Sequence, residues 1–272
     1  MHANKERQSS PKRKPWTKEE TIIVLNHYFK YPVSSAGTTN PNVINTAKLI
    51  GRLPNAVKMK IGNFASLDPE LKKRGIGGLG NHTRLDEEVW NEFAANRKKL
   101  AVTSERLISK ISNMPIEEIA EKNKDYKLDY LTKGEDKIST VKIRLYQKNF
   151  RECILGLYNN KCCITGLHIP SLLIASHIVP WSIDLKNRLN PENGICLNRL
   201  HDGAFDKGLI TITPDYKIKL SKSLIYELRD GDPHGFFLPY QNQAINLPER
   251  YFPKKKFLEY HNKEIFTDGI EN

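Results

Sequence analysis

Cysteine is scarce in this chain and poorly spaced for a metal. Cys153, Cys162, Cys163 and Cys196 include no C-x-x-C pair, and adjacent Cys162 and Cys163 have the wrong bite for one tetrahedral ion. A structural zinc is therefore not expected. No apolar run approaches the roughly 20 residues that a membrane helix needs, and the first residues do not read as a secretory leader. These absences point to a soluble, cytoplasmic protein with reduced thiols and no membrane partner. Acidic residues are also under-represented: 31 Asp and Glu face 43 Lys and Arg, a formal net charge of +12. Such a surplus favours a polyanionic partner, because each neutralised phosphate releases counterions. No aromatic stacking motif of the RNA-reading kind is present. The glycine-rich Gly75–Gly80 stretch lacks the preceding strand and following Lys-Ser/Thr of a phosphate cradle, and reads as a loop.

Four regions follow along the chain. Residues 1–14 carry Lys5, Arg7, Lys12, Arg13 and Lys14 without apolar periodicity, a basic disordered arm. Residues 15–68 form a helical domain. Thr17 with Glu20 three positions on is a capping box, and Ile22, Ile23, Leu25, Tyr28 and Phe29 supply the buried face of the first helix. A second helix spans about 42–50, Gly51–Pro54 turns, and a third helix spans about 55–63. This arrangement, with the opening Trp16-Thr-Lys-Glu-Glu20, resembles a Myb or SANT helix-turn-helix. The resemblance implies that the last helix enters the major groove, with Asn55, Lys58, Lys60 and Asn63 as base-reading or phosphate-contacting residues. Residues 69–136 read as a connector, with helices near 85–100 and 104–112 and a charged linker over 121–136. Residues 137–272 form the last domain, and a fragment beginning near Asp136 is expected to keep its fold.

The last domain holds the densest pattern. Leu172-Leu-Ile-Ala-Ser-His177 is apolar, has β-branched content and is flanked by turn residues, the signature of a strand. Asn190-Pro-Glu-Asn-Gly194 is turn-rich, Ile195-Cys-Leu197 reads as the returning strand, and Arg199–Lys207 has helical character ended by Gly208. Leu209–Thr213 and Lys217–Leu220 form a hairpin around Pro214-Asp-Tyr216, and the run from Leu247 to Phe266 suits a closing helix. The core of this unit falls to Ile164, Leu172, Ile174, Leu197, Phe205 and Leu209.

The order Ser176-His177-Ile178, Asn190-Pro-Glu-Asn-Gly194, Leu200-His201 with Phe205-Asp206 resembles the HNH endonuclease family. The similarity runs from about Arg144 to Ile265. It implies an α+β protein: the helical N-terminal domain followed by a ββα-metal nuclease domain. It also implies roles. His177 matches the general base, Asn193 the residue that braces the loop carrying it, and His201 a ligand of a divalent metal, Mg²⁺ first and Mn²⁺ as the alternative. Asp206 is an additional acidic ligand, with Asp202 a weaker one. The departure is Ser176, where many members carry a metal-binding aspartate. A histidine near its ordinary pKa suits base catalysis at neutral pH. Arg144, Gln147 and Arg151, on a helix from about 141 to 158, and Lys186 and Arg188, between the strands, are the nucleic-acid contacts of this domain.

The function that follows is metal-dependent hydrolysis of DNA, duplex first, by a restriction or phage-defence enzyme. A single-metal site cuts one strand at a time, so double-strand breaks call for a homodimer or two sequential events. Two alternatives stand beside it: a DNA-binding protein with a degenerate, inactive HNH fold, and an RNA-directed nuclease.

Overall fold

The computed structural model describes residues 14–121 and 137–268. The expected basic arm up to residue 13 and the expected linker from residue 122 onward lie outside the described residues. Helix α1 (Lys18–Lys30) opens on the anticipated capping box: the Thr17 hydroxyl accepts from the Glu20 amide at 3.2 Å, and the Glu20 carboxylate accepts from the Thr17 amide at 3.0 Å. The helix is buried on almost every side, because α2 (Pro41–Leu49), α3 (Pro54–Leu67), α4 (Pro69–Lys73), α5 (Arg84–Phe93) and α6 (Arg97–Ser112) gather about it. Leu25, Tyr28, Phe64, Val89, Phe93 and Leu100 share one core. Residues 84–112 are therefore not a connector. Their apolar face completes the helical layer begun by the first three helices.

After α7 (Ile116–Glu121) and the 21-residue α8 (Lys137–Leu157), strands β1 (Leu173–His177) and β2 (Gly194–Asn198) pair antiparallel, with Ser176 opposite Ile195 and His177 opposite Gly194. Helix α9 (Arg199–Asp206) follows at once, capped by Asn198. A second hairpin of β3 (Ile210–Ile212) and β4 (Ile218–Leu220), a short α10 (Lys222–Glu227) and α11 (Lys255–Glu264) complete the chain. The strand, loop, strand, helix order was legible in the sequence. The closing helix is shorter than anticipated, since it begins only at Lys255; Pro248 and Pro253 keep the preceding segment out of helical geometry. Phe150, Ile154, Leu173, Ile195, Leu197 and Phe205 form the second core together with all four cysteines. All four cysteines are free and buried.

The two cores are joined through α8. Lys30 of α1 meets Glu152 at 2.6 Å and Glu105 at 3.2 Å, while Lys148 meets Glu105 at 2.9 Å and Glu152 at 3.1 Å. Glu105 has no solvent exposure, and Lys30 and Lys148 have little. The opposing charges hold the Lys30 ammonium in its charged form and draw the Glu152 carboxyl down to about 2, against the desolvation that opposes both. Gly156 lets α8 approach α1, since a Cβ there would collide with the Lys30 carbonyl. From the far end of the chain, buried Arg250 donates to the carbonyls of Tyr28 and Tyr31 and lies beside Asp68. These contacts join the unit starting near Asp136 to the helices before it, so a cut there would expose a charged, close-packed face.

Glu105 carries two cations that have little access to water. Glu105→Ala should destabilise the full chain by about 3–5 kcal/mol, the range for breaking a buried ion pair from one side, seen as a lower denaturant midpoint. A midpoint equal to wild type would show that water replaces the carboxylate freely.

Candidate active site

His177 ends β1 beneath the α8 side chain of Phe150. The two rings stack with centroids 3.8 Å apart and 13° between planes, and the Trp181 ring meets the imidazole edge-on at 5.4 Å. Opposite His177, Gly194 is the residue that lets β2 pass: a Cβ there would lie 2.6 Å from both Phe150 and Ile154. Nε2 of His177 lies 3.1 Å from the Arg188 carbonyl oxygen. A carbonyl only accepts, so Nε2 carries the proton of the neutral ring and Nδ1 keeps its lone pair. Burial pulls the His177 pKa down to about 4; the Arg188 carbonyl opposes that shift and the Arg188 charge adds to it. The ring is thus neutral, and basic at Nδ1, across the physiological range.

Asn193 fixes the chain that follows His177. Its side-chain oxygen accepts from the Val179 amide at 2.8 Å, its side-chain nitrogen donates to the Val179 carbonyl at 3.1 Å, and its own carbonyl accepts from the Ile178 amide at 3.0 Å. Asn193 is buried, so these bonds face no competition from water.

A cavity of about 480 Å³ opens beside His177. Ser176, Asp202 and Asp206 line it with His177, and Arg199 and Lys207 stand at its exposed edge. Asp202 and Asp206 are one helical turn apart on α9 and so share a face. The Ser176 hydroxyl is buried without a hydrogen-bond partner, an unusual state for a buried polar atom. Gln147 and Arg151 reach the cavity from α8, but Arg151 is buried and also spans the Leu173 and Pro170 carbonyls at 2.6 and 3.1 Å.

His201 is not among the lining residues. It is buried on the opposite face of α9, with Nδ1 2.9 Å from the Asn198 side-chain oxygen and Nε2 2.9 Å from the Phe236 carbonyl. Burial lowers its pKa, and the Phe236 carbonyl resists the shift. The anticipated metal ligand thus braces the helix start. Asp202, the weaker candidate, stands in the cavity instead. The stripe His201, Ala204, Phe205 at positions i, i+3 and i+4 was the readable signal for this phase, since all three are buried.

The remaining anticipated contacts disperse. Lys186 is exposed on the loop between β1 and β2, and the Arg188 side chain folds back to donate to the Trp181 carbonyl at 2.9 Å. Arg144 pairs with Glu121 at 2.7 Å, away from the cavity. On α3, Asn55 and Lys58 are exposed. Lys60 is not: it is buried and paired with Asp86 of α5 at 2.5 Å, and Asn63 donates to the same carboxylate at 3.0 Å. The reading of Lys60 as a phosphate contact is corrected accordingly, because a buried cation already held by a carboxylate is withdrawn from the surface.

Residues 162–213 match the HNH endonuclease family. That span holds β1, β2, α9 and the first strand of the second hairpin, with every residue of the His177, Asn193 and Asp202 arrangement inside it. An HNH domain implies a nuclease and a nucleic-acid substrate. No curated protein matches the chain significantly. Among the described residues, no helix is long and apolar enough to cross a membrane.

His261 of α11 also borders the cavity, stacked on Phe205 at 3.6 Å and drawn to a pKa of about 4 by burial. Folded-state values for His177 and His261 both lie below the ordinary value near 6.5. The unfolded chain therefore binds more protons than the folded one between those limits. Stability from the neutral rings is complete above about pH 6.5 and is lost as pH falls towards about 4. Unfolding free energy measured across that window should decline with acidification, and more shallowly in His261→Gln. Equal slopes in both proteins would mean that His261 titrates normally when folded.

Proposed function

We propose that this chain is a metal-dependent DNA endonuclease of restriction or phage-defence type. One observation carries the reading: a neutral histidine, its proton fixed on Nε2 by the Arg188 carbonyl, faces a cavity that also holds two carboxylates of one helix face. Phosphodiester hydrolysis needs an activated water, charge neutralisation at the phosphate and help for the leaving oxygen.

The donor set suits a hard divalent cation. Asp202 and Asp206 would hold it, with the unpartnered Ser176 hydroxyl as a third, weaker oxygen. Among the described residues no three His, Cys, Asp or Glu side chains form a ready-made cage. That fits Mg²⁺ or Mn²⁺, which are commonly bound through one or two carboxylates while water and substrate phosphate complete the shell. When bound, the cation supplies charge stabilisation at the scissile phosphate. His177 takes a proton from the attacking water at Nδ1, Asn193 keeps the ring in place, and Arg199 and Lys207 draw the anionic backbone to the edge.

The helical layer selects the duplex. α2, the turn at 50–53 and α3 form a helix-turn-helix whose exposed α3 residues Asn55 and Lys58 meet DNA, while Lys60 and Asn63 hold α3 to α5. Cleavage of both strands takes two copies or two successive events.

Cleavage of plasmid, single-stranded DNA and RNA with Mg²⁺, Mn²⁺ or chelator tests this reading. His177→Ala should lower the rate by about 10² to 10⁴, the usual consequence of losing a general base, while DNA binding persists. Asp202→Asn and Asp206→Asn should each raise the metal concentration for half-maximal cleavage. His201→Ala should lower the thermal midpoint and leave that concentration where it was. A His177→Ala protein as active as wild type would defeat the reading. Preference for RNA would turn it to the RNA-directed alternative, and binding with no cleavage under any metal to the inactive one.

A further inference from the structure

The loop between β1 and β2 has a feature the hydrolytic chemistry does not use. Ile183 and Leu185 are 59% and 55% exposed at its tip. The tip that carries them is braced from three directions. The Asp184 carboxylate accepts from the backbone amides of Lys186 and Asn187 at 3.1 Å each and from the Asn187 side chain at 2.6 Å. Lys98, at the start of α6, donates to the Leu185 carbonyl at 2.8 Å. Arg188 bonds the Trp181 carbonyl and lies over the Trp181 ring at 4.7 Å. The helical layer and the nuclease core together hold two apolar side chains out into water.

This loop is also a partition. Pro180 and Trp181 face the His177 cavity, whereas Lys186, Leu189 and Asn190 face a second cleft of about 560 Å³ between the loop and the helical layer. Arg97, Lys98, Lys186 and Lys254 line that cleft against Glu70 and Glu192; Lys254 pairs with Glu192 at 2.5 Å, and the surplus of cations still favours an anion. An apolar crest with a catalytic cavity on one side and a cationic cleft on the other matches one kind of occupant, a duplex whose two backbones straddle the crest. The narrow minor groove accepts a loop tip where it would not accept a helix, and apolar side chains inserted there unstack a base step.

We propose that Ile183 and Leu185 form a wedge that enters the minor groove of duplex DNA and opens a base step beside the scissile phosphate, while the second backbone lies in the cleft of Lys98, Lys186 and Lys254. The proposal rests on the nuclease reading for its substrate, but its readout does not require cleavage.

The test uses the full chain in a His177→Ala background and a duplex carrying 2-aminopurine, a base analogue whose fluorescence rises on unstacking. Binding should raise the fluorescence. Adding Ile183→Ser with Leu185→Ser should abolish that rise and weaken duplex affinity by about tenfold, the scale of apolar burial at two side chains less the cost of unstacking. A mismatch at the opened step should widen that affinity difference, because the wedge then gains its burial without the cost of unstacking. Both side chains are exposed, so the thermal midpoint should not move. Lys186→Ala should reduce the slope of log affinity against log salt by about one. Unchanged fluorescence and affinity in the double variant would overturn the wedge, as would a change confined to the self-association of the DNA-free protein. Absence of cleavage by the protein with His177 intact, beside an intact fluorescence response, would instead refute the nuclease reading and leave the wedge standing.

Discussion

Burial of α8 from two sides is the constraint on which the site depends. One side presents Phe150 and Ile154 to the β1–β2 hairpin, where Phe150 forms the platform under His177. The other presents Lys148 and Glu152 to Lys30 and Glu105 of the helical layer. Buried charges tolerate little displacement, because a gap between partners leaves each desolvated and unpaired. The position of the His177 ring is thereby tied to the packing of helices much earlier in the chain. Lys98 and Arg250 extend the same tie to the loop beyond His177 and to the C-terminal segment.

Within the nuclease domain, local bonds finish what α8 begins. Asn193 engages both backbone groups of Val179, and Arg188 offers its carbonyl to His177. These contacts set the orientation and tautomer of the ring before any substrate arrives. Preorganised groups need no rearrangement during reaction, which is where much catalytic advantage lies. The same loop that delivers the Arg188 carbonyl also carries Ile183 and Leu185 outward, so one short segment joins the His177 ring to an exposed apolar tip.

Short-range patterns were legible in the sequence and long-range ones were not. The Thr17–Glu20 box, the hairpin from Leu173 to Asn198 and the helix after it follow from turn residues, β-branched content and capping, all within a few positions. Lys60 looked like a surface cation because its partner Asp86 lies 26 residues on, and nothing local marks a buried pair. The helices at 84–112 looked like a connector because their apolar faces find α1 only in three dimensions. His201 is a different case. Its motif position suggested a ligand, while the spacing of His201, Ala204 and Phe205 already assigned it to the buried stripe and left Asp202 with Asp206 on the other face.

The central claim is that the cation is held by oxygens from the face of α9 that meets His177, and not by His201. Electron spin-echo spectroscopy of the Mn²⁺-loaded full-length protein tests it directly, since a coordinated imidazole nitrogen modulates the signal. The account predicts no directly bound nitrogen and a loss of Mn²⁺ affinity in Asp202→Asn and Asp206→Asn. A nitrogen coupling that disappears in His201→Ala would contradict it.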